Sequence, residues 1–484
     1  MHLLYLQEFL RASMTIDLTS DKNFKLFKTI ADSAEELGIT AYIVGGYVRD
    51  LLLNRKMPTD IDFVTEGSGI ELAEAVARKF SPKTKVAVFK TYGTAMFRYS
   101  GLELEFVGAR KESYNENSRK PAVEQGTLQD DQKRRDFTVN AMAISLNQAN
   151  FGELLDPFDG LNDLRNQILR TPLEPQHTYN DDPLRMLRAV RFASTLGFNI
   201  ESASFEAIKT EADRIKIVSQ ERIMTEFNKI LSSPKPSAGL RLLEESGLLN
   251  KFLPELIALK GIEEIEGQTH KDNFYHTLEV VDNISHNTEN LWLRWAALLH
   301  DIGKAPTKKF VDGTGWTFHG HEFLGSKMVK SIFHRLKLPL GQEVKYVQKL
   351  VKLSSRPIAL ITDDASDSAL RRLLFDAGDD LEDLFTLCKA DITTKNAKKQ
   401  DRYIRNFEYV AQKIKEVEEN DRVRNFQPPI SGEEIMALFN LKPGREIGIL
   451  KEKVKEAILD GIIPNDPAAA RAFVIDEGRK IGLK

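Results

Sequence analysis

Two rhythms of apolar residues divide this chain. Up to about residue 147, short runs mix apolar and polar positions: TAYIVGG, TDIDFVT, KVAVFKTYGTAMFRY and LELEFVGAR read as strands. SGIELAEAVARKF, with apolar residues every third or fourth position, reads as a helix. Past PLEPQHTYNDDP the period becomes helical, beginning with LRMLRAVRFASTLGF, and stays so. SSPKPSAG at 232–239 punctuates the helices, and GIEEIEGQTHKD marks a further boundary near 265. A charged helix, KKQDRYIRNFEYVAQKIKEVEEN, leads into a tail after Pro428 and Pro429. The pattern therefore predicts an α+β head over 16–147, a helical region over 148–264, a histidine-bearing helical domain over 265–400 and a helical tail over 401–484.

A chain of 484 residues exceeds the size at which one core keeps growing, in line with several domains. Hydrophobic content of 42% and charged content of 29% are those of a soluble protein, and no apolar run approaches the roughly 20 residues of a membrane span. The opening MHLLYLQEFLRASM lacks a basic start and a small-residue cleavage site, so it reads as an upstream start ahead of Met14 rather than a signal peptide. Cys388 is the single cysteine, which fits a reducing cytoplasm. A net charge of −3 supplies no overall basic field, so nucleic acid would have to meet a local patch.

Chemistry first appears in TDIDFVT. Asp60 and Asp62 share one face of a strand while Ile61 and Phe63 take the other. Two carboxylates that close repel, and one would hold a proton unless a cation sat between them. Oxygen-only ligands with open positions suit Mg2+ carrying a nucleotide's phosphates. A bare D-x-D is more simply a solvated strand edge, but upstream YIVGGYVRDLLL runs from a strand through Gly45 and Gly46 into a helix. Glycines at such a turn let backbone N–H groups approach phosphate oxygens, the helix start adds partial positive charge, and Arg49 can add a full one. Together these parts read as a site for a metal-bound triphosphate.

VGGYVRDLLL with TDIDF resembles the signature of the nucleotidyltransferase superfamily shared by tRNA nucleotidyltransferases (CCA-adding enzymes) and bacterial poly(A) polymerases, in its class II form. The resemblance implies a multidomain fold with a polymerase-β-like α+β head, an all-α body, an HD-type helical domain and a helical tail. It implies that Asp60 and Asp62 hold two Mg2+ ions, one activating the RNA 3′-hydroxyl and one bracing the leaving pyrophosphate, with Glu105 of LELEFVGAR as a third acidic ligand. In KRRDFTVNA it assigns the ribose 2′-hydroxyl to Asp136 and a phosphate or sugar contact to Arg135.

In DDPLRMLRAVRFA, Asp182 and Arg185 stand three apart on a predicted helix, with Arg188 and Arg191 continuing the row. Cytosine and adenine both place an amine donor beside a ring-nitrogen acceptor, so an Asp acceptor next to an Arg donor complements C and A and clashes with G and U. The resembled block opens with Glu where this chain has Asp181. QERIMTEFNKIL, with Glu221, Arg222 and Glu226, resembles the block that braces this template helix. TYGTAMFRY resembles the Gly-Thr strand of the tRNA enzymes rather than the poly(A) branch, and the long polar loop KESYNENSRKPAVEQGTLQDDQ resembles the one that switches the pocket from C to A. These features imply tRNA as partner, CTP and ATP as substrates and, since the loop looks complete, full CCA rather than CC-only addition; poly(A) synthesis is the alternative.

The second half carries His276, the pair His300-Asp301, His319 and His321 in HGHE, and Asp391, the H…HD…D pattern of HD phosphohydrolases. Imidazole and carboxylate ligands suit Mn2+, Ni2+, Fe2+ or Zn2+ and phosphoester cleavage. The resemblance implies metal ligands at His276, His300, Asp301 and Asp391, with His319 or His321 as further ligands or substrate contacts and Lys304 near a phosphate. Some tRNA nucleotidyltransferases use such a domain on 2′,3′-cyclic phosphates or 2′-nucleotides. A chain whose main work is HD hydrolysis, the head only binding RNA, is the second alternative, and an HD fold kept as a tRNA-binding body is a third. In the tail, Gly444 and Gly448 flank a predicted helix start where backbone N–H groups could meet an RNA phosphate.

Overall fold

The computed structural model describes residues 14–115, 118–362, 366–394, 396–421, 424 and 426–483, so the opening segment read as an upstream start lies outside the described residues. Two compact units make up the chain. One comprises residues up to Ile230 with Arg241–Lys251, the other Leu231–Leu240 with Phe252 onward.

The first unit is built on a seven-stranded sheet. Helix α1 (Phe24–Leu37) leads into β1 (Thr40–Val44), α2 (Gly46–Leu52), β2 (Asp60–Glu66) and α3 (Gly69–Phe80). Strands β3 (Ala87–Phe89), β4 (Thr94–Tyr99) and β5 (Leu102–Gly108) follow, then β6 (Arg110–Asn115) paired with β7 (Ser118–Gln125). Helices α4 (Leu128–Lys133) and α5 (Thr138–Ala141) precede β8 (Ala143–Ser145) and β9 (Leu154–Leu155). The order is β3-β4-β5-β2-β1-β8-β9, with β2 parallel to β5. The sheet thus runs past the head boundary expected at 147, because two-residue β9 is too short to leave a periodic signal.

Alternation along β2 decides what each face does. Ile61 and Phe63 are fully buried. Phe63 stacks on Phe106 at 4.9 Å and meets Phe27 of α1 edge-on at 6.4 Å. Burying a phenylalanine contributes about 2–3 kcal/mol, so this face fixes the strand's register and turns Asp60 and Asp62 to the other.

Two expectations are corrected here. The run KVAVFKTYGTAMFRY is not one strand: a 3-10 turn at Lys90–Tyr92 and Gly93 at φ 61° fold it into the antiparallel pair β3–β4. The polar segment after Arg110 is not a loop: its backbone pairs as the β6–β7 hairpin, with Lys111 opposite Glu124. Polar sequence hid that pairing because a two-stranded ribbon need not bury a face.

Beyond the sheet, α6 (Pro175–Asp181), α7 (Leu184–Leu196) and α8 (Gln220–Leu231) carry the expected helical blocks. The second unit packs α9 (Asn273–Ser285), α10 (Leu291–Leu299), α11 (His321–Arg335), α12 (Gln342–Leu353) and α13 (Leu381–Asp391) around buried Trp295, Phe274 and Phe333. Two hairpins interrupt the helices, β10 (Glu264–Ile265) with β11 (Gln268–Thr269) and β12 (Lys309–Val311) with β13 (Gly315–Thr317). Helices Ala397–Asp421, Gly432–Leu438, Arg445–Leu459 and Pro467–Lys480 form the tail. Gly444 caps Arg445–Leu459 and Gly448 lies inside its first turn, so only Gly444 precedes that helix.

Candidate active sites

In the head, sheet register sets Val44 opposite Asp62 and Asp62 beside Glu105. Gly45 turns the chain from β1 into α2 at φ 76°, a conformation that favours glycine. A Cβ there would lie 3.2 Å from Asp62 Oδ2 and 3.1 Å from Arg135 Nη1, so turn, carboxylate and guanidinium converge at one point. Asp60 is exposed at the strand's start and Asp62 half-buried. Burial pushes the Asp62 carboxyl above its usual range; Arg135 opposes the shift and Asp60 adds to it. Glu105 is raised likewise, by burial and then by Asp62. Crowded oxygen donors that resist ionisation alone fit a hard divalent cation.

A cavity of about 490 Å³ opens over these strands, lined by Asp62, Glu105, Arg135, Asp136, Asp182, Arg185 and Arg188, with Thr94, Arg110, Arg134, Arg222 and Thr225. Nine of the residues singled out in the sequence, Arg222 and Glu226 included, thus meet in one hollow, whereas Asp60 is not part of its lining. Asp131, missed in the sequence, organises its basic wall: this fully buried carboxylate binds Arg134 and accepts from Arg135 Nε at 3.0 Å. The signal was available, since DQKRR sets both arginines three and four residues after an acid.

Asp136 is buried and bound to Arg188 at 2.5 Å, to Asn140 Nδ2 at 3.0 Å and to the Phe137 N–H at 2.9 Å. Burial would raise its pKa, but Arg188, Asn140 and Arg185 together outweigh that and hold it down at about 2. Asp182 is not on the template helix: it is extended (φ −138°, ψ 98°) before α7, and its Oδ1 accepts from the Leu184 N–H at 3.1 Å. Pro183 moves the helix start beyond it. Arg185, in the first turn, is buried and donates to the carbonyls of Thr178 (3.4 Å) and Arg134 (2.5 Å).

Two arginines are placed differently from expectation. Arg49 is buried, paired through both Nε and Nη2 with Asp50 at 2.9 Å and donating to Asn140 at 2.8 Å, so it buttresses the Gly45–Gly46 turn from behind. Gly46 lies beside it, 3.6 Å from Nη2 when given a Cβ. Arg191 does not line the cavity; it pairs with Glu226 of α8, which does, at 2.6 Å and stacks over Phe192 at 3.9 Å. Both are positioned by charges that sequence spacing does not reveal. Helix α2 spans only seven residues, so the turn's own N–H groups count for more than a helix dipole.

The second site gathers at helix ends. Asp272 caps α9, accepting from Phe274 and Tyr275 N–H groups at 3.0 and 3.1 Å, and His276 follows in its first turn. His300 and Asp301 end α10, and Asp391 ends α13. Ligand atoms of His276, His300 and Asp391 lie within 4.8 Å of one another. His276 Nε2 is 2.8 Å from Asp391 Oδ1, and Asp301 Oδ2 is 3.3 Å from His300 Nε2 and 3.8 Å from His276 Nε2. His300 Nδ1 donates to the Ala297 carbonyl at 2.8 Å, leaving Nε2 buried without a hydrogen bond and facing this group. Burial opposes charge on His300, yet Asp301 and Asp391 raise its pKa to about 10. Asp391 is held well below the carboxylate range: burial opposes this, and the neighbouring imidazoles of His276 and His300 prevail. A carbonyl-locked imidazole with an orphaned Nε2 between carboxylates fits a transition-metal ion.

Around the triad, Lys304 Nζ is 2.6 Å from Asp301 Oδ2, and His321 Nε2 is 3.6 Å from Asp301 Oδ1. His319 is exposed and stands outside the cluster. Gly303 is required by close approach, since a Cβ there would fall 2.1 Å from the His321 carbonyl oxygen. Lys271, not singled out in the sequence, reaches His276 Nδ1 at 2.8 Å and Thr393 Oγ1 at 2.6 Å.

Residues 41–170 match the Poly A polymerase head domain, 197–260 the probable RNA and SrmB-binding site of polymerase A, and 273–391 the HD domain. Fold, cavity and these matches agree on the class, a nucleotidyltransferase that carries an HD domain. The CC-adding tRNA nucleotidyltransferase of Thermus thermophilus is 32% identical over 453 residues, 90% of this chain and 93% of that one. The A-adding enzyme of Deinococcus radiodurans is 35% identical over 356 residues, 72% of this chain and 79% of that one, and the CCA-adding enzyme of Bacillus velezensis 30% over 432 residues, 88% and 92%. This chain belongs to the tRNA nucleotidyltransferase family. Among solved structures, the Bacillus stearothermophilus CCA-adding enzyme in complex with CTP shares the fold at a TM-score of 0.64 and 24% identity, covering 95% of this chain and 98% of that one. A tRNA nucleotidyltransferase complexed with a primer tRNA and an incoming ATP analog aligns at 0.57 and 25%, covering 80% and 99%.

Proposed function

We propose that this protein adds C, C and A to tRNA 3′ ends from CTP and ATP without a nucleic-acid template. The observation that carries the reading is the meeting of Asp62, Glu105, Arg135, Asp136, Asp182 and Arg185 in one cavity. The RNA 3′-hydroxyl oxygen bonds to the α-phosphorus of the nucleotide, the bridge to the β-phosphate breaks, and pyrophosphate leaves. Asp60 and Asp62, with Glu105, would hold Mg2+, which supplies charge neutralisation for the phosphates. Arg135, steered by Asp131, meets the triphosphate or its sugar, and Asp136 accepts from the 2′-hydroxyl. Asp182 and Arg185 read the base edge, so that C and A bind while G and U set donor against donor.

The HD cluster is, on this reading, a phosphohydrolase acting on RNA 3′ ends. His276, His300, Asp301 and Asp391 would hold Mn2+, Ni2+, Fe2+ or Zn2+, which supplies Lewis acidity. No helix among the described residues is long and apolar enough to cross a membrane, and we place the protein in the cytoplasm with its tRNA.

Relatives that add only CC or only A make partial addition the second reading. One experiment separates them: tRNA transcripts ending before the CCA, and after its second C, are incubated with CTP, ATP or both. Full activity extends the first transcript by CC from CTP and by CCA from both nucleotides. A product stopping at CC, or extension of the second transcript alone, supports partial addition. Long tails from ATP alone would support a poly(A) polymerase, and hydrolysis without extension an HD enzyme whose head only binds RNA.

A further inference from the structure

Beside the HD site stands a group of rings that the hydrolytic chemistry leaves unused. Phe318, just after β13, holds its ring 5.8 Å from Lys304 Nζ, and that ammonium is 2.6 Å from Asp301 Oδ2. The Phe318 carbonyl accepts from His321 Nδ1 at 2.9 Å, and Nε2 of the same imidazole lies 3.6 Å from Asp301 Oδ1. Backbone and ring of Phe318 are therefore both referenced to one carboxylate of the HD pair. His270 meets Phe318 edge-on at 6.1 Å and Trp316 at 5.0 Å, and Phe310 meets Trp316 at 5.4 Å. Lys308 Nζ lies 5.5 Å from the Trp316 ring centre.

These rings sit on hairpins of two- and three-residue strands, too small for a core of their own, and Phe310, Trp316 and Phe318 are only half-buried. Aromatic faces kept partly in water beside ammonium groups suit a ligand with a flat base at one end and a phosphate at the other. Lys304 stands between the two halves, next to Asp301 on one side and Phe318 on the other.

We propose that this ring cluster, with Phe318 foremost, is a stacking platform for the base of a nucleotide or RNA 3′ end whose phosphate enters the site of His276, His300 and Asp391. The proposal rests on the phosphohydrolase reading above and deepens it. Every base offers a π-face, so the platform selects nucleotides as a class and not one base among them.

The test uses the full-length protein supplied with Mn2+, and compares adenosine 2′,3′-cyclic phosphate with glycerol 1,2-cyclic phosphate, which has the same strained ring and no base. Phe318→Ala should raise KM for the nucleotide roughly 5- to 150-fold, the range of one lost base stack, and several times more than for the glycerol ester. Phe318→Trp should restore the preference. Equal losses on both esters, an unchanged nucleotide KM, or failure of the tryptophan variant would each overturn the platform. A second readout keeps the two ideas apart. All three tryptophans, Trp292, Trp295 and Trp316, lie in the HD region, so their fluorescence reports this domain even when nucleotide also binds the head. If the wild type cleaves neither ester yet 2′-AMP quenches its fluorescence and Phe318→Ala abolishes the quench, the phosphohydrolase reading falls and the platform stands. No quench in the wild type, or an unaltered one in the variant, sinks the platform itself.

Discussion

The head and the HD site solve one problem, gathering charges that repel, by different geometry. In the head, alternation along β2 puts Asp60 and Asp62 on one face, the parallel neighbour β5 sets Glu105 beside Asp62, and arginines from the segment after α4 and from α7 line the same cavity as Asp62 and Glu105. In the HD site three helices bring one or two ligands each to a point, and two of the four are imidazoles rather than carboxylates. Strand register makes an open, oxygen-rich trough suited to a hard cation and a triphosphate. Converging helix ends make a small, drier cluster in which His300 is locked by a backbone carbonyl. The difference teaches that residue choice sets the softness of the donors, whereas the element that carries them sets how open and how buried the site is.

The sharpest way to break that comparison is to remove one site and watch the other. Asp62→Ala should cut nucleotide addition by about a thousandfold or more while leaving hydrolysis of cyclic phosphates in place; loss of both activities would show that the sites are not independent. His300→Ala should do the reverse, with bound transition metal, measured by mass spectrometry after gel filtration, falling with hydrolysis and extension unharmed. Arg185→Ala should lower discrimination against UTP by roughly 10- to 100-fold, the worth of one good base contact. Because Arg185 also ties Arg134 and Thr178 carbonyls together, stability should fall by about 1–3 kcal/mol as well.

Asp136 sharpens the contrast through pH. Its folded pKa of about 2 lies below the usual unfolded value near 3.9, so ionised Asp136 stabilises the fold above that unfolded value, by about 2–3 kcal/mol. The contribution disappears as pH falls through the folded pKa. The urea-unfolding gap between wild type and Asp136→Asn should therefore be steady above about pH 4 and close toward pH 2; a gap that widens on acidification would contradict the Arg188 pairing. The smallest effect concerns Cys388, whose thiol is fully buried and raised by burial. It should stay unreactive toward a disulfide reagent until the protein unfolds, and rapid labelling of the native protein would be evidence against that packing.

How much was legible beforehand differs between the two sites. The D-x-D face could be read because strand alternation is strict and Ile61 and Phe63 have no other place to go. The HD residues could be read only as a pattern of resemblance, since nothing in helical periodicity says which helix ends meet. Arg49 and Arg191 show the opposite failure: their spacing suited a ligand, yet Asp50 and Glu226 claim their charges. Asp182 slipped off its predicted helix because Pro183 follows it, and the β6–β7 hairpin passed for a loop because its sequence is largely polar and carries no strand alternation.

Sequence by itself determined the local terms: which strand faces are apolar, where glycine permits a turn, and which carboxylates must sit together. Tertiary structure alone decided which charges are spent on one another and which are left facing the cavities. The reason is physical. Backbone geometry follows from neighbours along the chain, whereas the partner of a buried guanidinium or imidazole is set by whatever distant element desolvates it, and that choice is made only when the fold closes.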